Sequence, residues 1–289
     1  MIDHGSLLEA LSIVTLGAVL IFGSYFSAWR LLTGRSWRRP PTFSRDPIPA
    51  PWADIVSRQL PFAARLTDSE REKLLRLMQV FLREKRIEGS GGLEVTEEMK
   101  VMIAAQACLL LLHLDAGVYP GLRTILVYPE TYQPRSPSWF KYDLGSTEAR
   151  LGESWRHGVV ILSWDSVVAG AGNADDGRNV TLHEFAHQLD QADGVADGIP
   201  VLQTRSAVRN WAAVIGRHYD DLVADAAAGR ASVLDYYGAS NKAEFFAVAT
   251  EAFFEQPRQL AARLPELYDV LRKFYGQDPA ERSSVPPAA

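Results

Sequence analysis

Helical periodicity governs most of this chain. Thr67 and Asp68 precede a segment, Glu70 to Lys85, in which Leu74, Leu75, Leu77, Met78, Phe81 and Leu82 keep the spacing of an amphipathic helix with an N-cap. A second helix begins at Thr96 and runs through Met99 and Met102 to the cluster Leu109 to Leu112. It is too short, and too interrupted by Gln106 and His113, to span a bilayer, so it is expected in the core. Further helical patterns cover Val208 to Ala228, Lys242 to Phe254 and Leu260 to Tyr275. Thr124 to Tyr128 and Val159 to Trp164, rich in β-branched and aromatic residues, read as strands. Between them Pro129 to Gly158 carries Pro134, Pro137, Gly145 and Gly152, a long surface excursion of the kind that often forms lids or binding loops. These elements predict one α+β domain over residues 52–278, mainly helical with a small mixed sheet, followed by a disordered tail at 279–289.

The N-terminal pattern differs. Ala10 to Trp29 is uncharged and has the length a helix needs to cross a hydrocarbon core. Tyr25 and Trp29 lie near one end, and Arg30, Arg35, Arg38 and Arg39 follow. Residues 1–30 therefore read as a transmembrane anchor with everything after it in the cytoplasm: a single-pass protein of the inner membrane. A cleaved signal peptide would want a basic start, whereas Asp3 and Glu9 are the charges before the apolar run. A surface helix would be apolar on one face rather than all round. Residues 31–51, with Pro40, Pro41, Pro47, Pro49 and several arginines, read as an extended linker.

Composition narrows the classes. A hydrophobic fraction of 47% supplies a sizeable core, and a net charge of −5 with scattered Lys and Arg gives no nucleic-acid-binding surface. The single cysteine, Cys108, allows no intrachain disulfide and no thiolate metal cluster, and reads as a small buried hydrophobe in a reducing compartment.

The chemistry concentrates at Thr181-Leu-His-Glu-Phe-Ala-His187. At roughly 100° per residue, His183 and His187 fall on one side of a helix, where both imidazoles meet one ion. Glu184 lies beside that face, placed to take a proton from a water that zinc has acidified. The alternative is an exposed helix with two unrelated histidines. Leu182, Phe185, Ala186 and Leu189 oppose it, because they bury the helix and leave a single polar stripe. A catalytic zinc needs a third protein ligand. The next histidine, His218, sits beside Arg217 and Asp220 on what reads as a solvated face. Helical segment Asn241 to Gln256 is the better source, offering Glu244 and Glu251 on one face; their spacing does not choose between them. Asp190 is either an acceptor for a ligating imidazole's second nitrogen or a plain helix-end carboxylate. Asn179 reads as the N-cap of the metal helix.

Several motifs together resemble the Mlc titration factor A family of zinc peptidases, sometimes grouped with the catalytic domain of anthrax lethal factor. They are Ile103-Ala-Ala-Gln-Ala-Cys-Leu-Leu-Leu-Leu112, Ile125-Leu-Val-Tyr-Pro129, Asn179 through His183-Glu-Phe-Ala-His187 to Asp190, Asp193-Gly194, Gly198-Ile-Pro200 and Tyr237-Gly-Ala-Ser-Asn-Lys-Ala-Glu-Phe-Phe-Ala-Val248. The resemblance implies a zincin-like fold, one Zn2+ per chain held by His183, His187 and Glu244 in the Glu-zincin manner, and Tyr237 as the group that steadies the oxyanion, with Tyr236 its competitor. It leaves Glu251 as an outer partner of the site or a structural carboxylate. The apolar N-terminal extension departs from the family's soluble enterobacterial namesake.

The resulting expectation is a zinc metallopeptidase acting on a peptide or protein, with endo- and exopeptidase action both open and a substrate strand pairing at the sheet edge near Val159 to Trp164. A second expectation, from the family name, is a binding protein that sequesters a transcriptional repressor, with the zinc site auxiliary. A third is a membrane-associated housekeeping protease.

Overall fold

The computed structural model describes residues 40–130, 158–173 and 175–282. The expected membrane anchor and most of the 129–158 excursion lie outside them. Among the described residues no helix is long and apolar enough to cross a membrane.

From Thr42 to Pro47 the chain lies against helix α2 (Asp68–Glu84): Arg83 donates to Thr42 O, Arg76 to Asp46 O, and Gln79 to Asp46 O and Pro47 O. Part of the expected linker is thus docked on the domain. Helix α1 (Ala50–Gln59) then buries Trp52, Ile55 and Val56. Thr67 starts α2 with a reciprocal cap: its Oγ1 accepts the Glu70 N–H at 3.3 Å, and Glu70 Oε2 accepts the Thr67 N–H at 3.0 Å. Strand β1 (Arg86–Gly89) follows, then α3 (Glu97–Leu111), capped by Thr96 Oγ1. Helix α3 is buried nearly all round, Cys108 included, as its unbroken apolar run requires.

Strands β2 (Thr124–Tyr128) and β3 (Val159–Ser163) complete a sheet of order β1-β2-β3. The expected mixed sheet is corrected: among the described residues both pairings are parallel, with Arg86 opposite Thr124 and Thr124 opposite Val159. A parallel pair needs a crossover, and α3 supplies the first one. Ile125, Val127, Val160 and Leu162 alternate into the core. Trp164 does not extend β3 but opens helix α4 (Trp164–Gly172), in whose first turn Asp165 accepts the Ser166 N–H.

Helices α5 (Val180–Asp190), α6 (Arg205–Ala228) and α7 (Lys242–Glu255) build the site's frame. The segment Leu260 to Tyr275, expected as one helix, is broken. Helix α8 (Pro257–Arg263) stops before Leu264, and α9 (Pro265–Tyr275) restarts at a proline that has no N–H to donate and pulls the preceding residue out of helical geometry. Of the expected tail, residues 283–289 lie outside the described ones, and Pro279–Arg282 form a helical turn, α10. Tyr268 holds it, donating to Asp278 at 2.6 Å and accepting the Ala280 N–H at 3.0 Å, and Arg282 reaches Gln277 and Glu70.

Candidate metal centre

Helix α5 carries the paired histidines because its two faces face different partners. Phe185 is fully buried, with ring centroids 5.7 Å from Phe81 and 4.9 Å from Tyr119. Buried Lys85 holds that wall by donating to Tyr119 O and Leu122 O. With Phe185 anchored in the core, His183 and His187 turn toward α7. Their ring centroids are 4.8 Å apart, and their Nε2 atoms 3.1 Å.

Helix α7 brings Glu244 to the same point. Asn241 caps α7 by accepting the Glu244 N–H at 3.0 Å, which fixes Glu244 in the first turn. Its Oε2 lies 3.0 Å from His183 Nε2 and 3.3 Å from His187 Nε2. One ligand atom from each of His183, His187 and Glu244 lies within 4.8 Å of the others, with His187 and Glu244 buried and the His183 side chain nearly so. Glu251, two turns further along α7, is on the far side of the same imidazole, with Oε1 2.7 Å from His183 Nδ1.

This donor set fits a divalent metal ion. A carboxylate only accepts, so the proton between His183 and Glu251 belongs to Nδ1. Nε2 of His183 is then left with a lone pair facing a second nitrogen and a carboxylate oxygen. Three such atoms converging out of water are mutually repulsive unless a proton or a metal ion stands among them, and two imidazoles with one carboxylate are hard-to-borderline donors. The surroundings favour positive charge at this point. Burial disfavours charge on His183, yet Glu251 and Glu244 outweigh it and hold the imidazole well above its ordinary range, so a metal ion there takes the place of a proton on Nε2. Burial pushes Glu244 up, but hydrogen bonding to His183 and His187 brings it far below the usual carboxylate range.

Glu184 keeps partial access to solvent. Desolvation raises its carboxyl, assisted by Glu244 and Glu251 and opposed by His187 and His183. Tyr237 lies in the turn Tyr236–Ala239, capped by Asp235, which also pairs with Arg178. Its ring centroid is 5.8 Å from that of His183. Tyr236 is 39% exposed.

Asp190 serves the loop that follows α5. Its Oδ2 accepts the Gly198 N–H at 3.0 Å, and burial drives its carboxyl up to about 8 despite that bond, with Asp197 and Asp193 adding to the rise. That bond, to main chain rather than to an imidazole, fits the second of the two readings of Asp190, and the carboxylate that meets an imidazole's second nitrogen is Glu251. His218 stays on α6, away from the donor cluster.

Periodicity did not reveal the hub around Asn179. Its Oδ1 caps α5 at Leu182 N as expected, its backbone N–H donates to Glu251 Oε2 at 2.5 Å, and its Nδ2 faces Gln106, Gly170 O and Glu255. The available signal was Gln106 itself, since an amide inside an otherwise apolar helix must find a buried partner.

A family model described as glucose-regulated metallo-peptidase M90 matches residues 34–276. An uncharacterized protein of Synechocystis sp. is 39% identical over 264 residues, covering 90% of this chain and 95% of the relative. Mlc titration factor A of Cronobacter sakazakii is 35% identical over 249 residues, covering 81% of this chain and 88% of the relative. The protein of that name from Salmonella agona is 33% identical over 246 residues, covering 81% and 89%.

Proposed function

Since the chain belongs to the glucose-regulated metallo-peptidase M90 family, together with the Mlc titration factor A proteins, we propose that it is a zinc metallopeptidase of the Glu-zincin type whose ion is held by His183, His187 and Glu244. The observation that carries this reading is the convergence of one atom from each of those three buried side chains. In such a donor set zinc would supply Lewis acidity, lowering the pKa of water toward about 7 and polarising a carbonyl.

The protein's own groups complete the reaction. Glu184, adjacent to His183 and raised by desolvation, takes a proton from the attacking water and returns it to the departing amine. Tyr237 donates its hydroxyl to the oxygen that gains charge as the carbonyl becomes tetrahedral. Its ring proximity to His183 supports Tyr237 over the more exposed Tyr236. Glu184→Gln should retain one zinc per chain by metal analysis while hydrolysis of an unstructured protein substrate falls about 10²- to 10⁴-fold. Full hydrolysis by that variant, or a purified wild type whose hydrolysis survives complete removal of metal by a chelator, would overturn the assignment.

The name carried by two relatives motivates a second reading, a protein that binds a regulatory partner with the metal site auxiliary. Equal binding of one purified transcriptional regulator by wild type and His183→Ala would favour it; binding that requires His183 would count against it.

A further inference from the structure

His183 is gripped at both ends by carboxylates from a single helix. Glu244 Oε2 lies 3.0 Å from Nε2, and Glu251 Oε1 lies 2.7 Å from Nδ1. Glu251 has no freedom to turn, because its other oxygen accepts the Asn179 N–H at 2.5 Å. That N–H belongs to the residue capping α5, so it precedes the helix and is not consumed by the helical ladder. Asn179 is itself fixed by α3 through Gln106, by α4 through Gly170 O and by the end of α7 through Glu255. A fixed main-chain donor thus orients a carboxylate, and the carboxylate orients a ring.

We propose that Glu251, locked by the Asn179 N–H, is the positioning residue that keeps the proton of His183 on Nδ1 and so presents Nε2 as a bare donor to the metal. This rests on the reading of His183 as a ligand. A ligating imidazole commonly gives its second N–H to an outer carboxylate, and loss of that partner weakens metal binding without touching a ligand.

Glu251→Gln preserves shape but replaces two acceptors with one acceptor and one donor. With its oxygen toward the Asn179 N–H, the amide nitrogen meets His183 Nδ1 and drives the ring proton onto Nε2. Flipped, it sets its own N–H groups against that of Asn179 in a buried place. Zinc affinity, measured by competition with a chromophoric chelator, should therefore fall about 10- to 100-fold. In the cadmium-loaded wild type, a long-range proton–nitrogen spectrum should show His183 Nδ1 carrying a strongly deshielded proton. Unchanged zinc affinity in Glu251→Gln, or an unprotonated Nδ1 in the wild type, overturns the positioning role. Should the variant fail to fold, the wild-type spectrum still decides. His183→Ala separates the two levels: undiminished zinc binding there removes the ligand reading itself, whereas loss there without loss in Glu251→Gln removes only the role of Glu251.

Discussion

Glu255 ends the helix that supplies Glu244, and it is 4% exposed with one oxygen bonded to Asn179. Burial pushes its carboxyl from an ordinary 4.5 up to about 8; the bond to Asn179 opposes the rise, and Glu251 and Asp176 add to it. Because the folded-state pKa is the higher one, the folded protein keeps a proton that the unfolded chain has already lost between about 4.5 and about 8. Stability present in acid is therefore given up as pH rises through that window. Glu255→Gln, which keeps the acceptor for Asn179 and removes the charge, should show a flatter pH dependence of Tm and exceed the wild type at about pH 8.5. Parallel Tm profiles for the two proteins would refute this. At this scale the paired histidines were legible from their spacing alone, because a helix turns four residues into one face. The choice between Glu244 and Glu251 was not, since residues seven apart share a face; only the depth at which α7 meets α5 separates the carboxylate at Nε2 from the one at Nδ1. The two readings of Asp190 stay open in the sequence because proximity along the chain to His187 says nothing about the backbone N–H of Gly198, which bonds to it.

Helices α5, α6 and α7 are joined through Gly198. Its N–H goes to Asp190 at the end of α5, and its carbonyl accepts the Trp211 indole of α6 at 2.8 Å. A Cβ there would stand 2.3 Å from the Lys242 carbonyl at the start of α7, and the backbone φ is +76°. Two independent costs follow for Gly198→Ala, a left-handed backbone that resists side chains and a steric push against main chain that cannot swing aside. We expect a loss on the order of 2–4 kcal/mol, read as a lower Tm, together with weaker zinc binding as the first turn of α7 carries Glu244 away. A variant with wild-type Tm and affinity would show that the contact yields freely. The long amphipathic and apolar helices were readable because periodicity and capping residues agree. Strand β1 was not, for Arg86-Ile-Glu-Gly holds one β-branched residue and pairs only because β2 offers it an edge. The break at Leu264 was written in Pro265, a local veto that the apolar pattern on either side conceals.

Across the whole molecule, α5 and α7 are sealed into one core independently of the ligand atoms. Phe185 ties α5 to Phe81 and Tyr119, while α7 sends Phe246 against Trp211 and Phe274 and stacks Phe253 on Tyr275. The family motifs were readable across the chain because they combine this core with the donors; the parallel run of the sheet was not, since strand direction depends on crossovers rather than on strand composition. The three donors thus come from two helices that are each anchored in the core by apolar side chains other than the ligands. Stripping the ion with a chelator should leave the helical circular dichroism intact and lower stability only by the binding free energy, about 2.7 kcal/mol at a hundredfold excess over Kd. Collapse of the helical signal on chelation would contradict this. If the shape outlasts its ion, dormant molecules regain competence as soon as the metal returns, with neither chaperone nor new synthesis, and the active fraction follows the free-metal level of the surroundings from moment to moment.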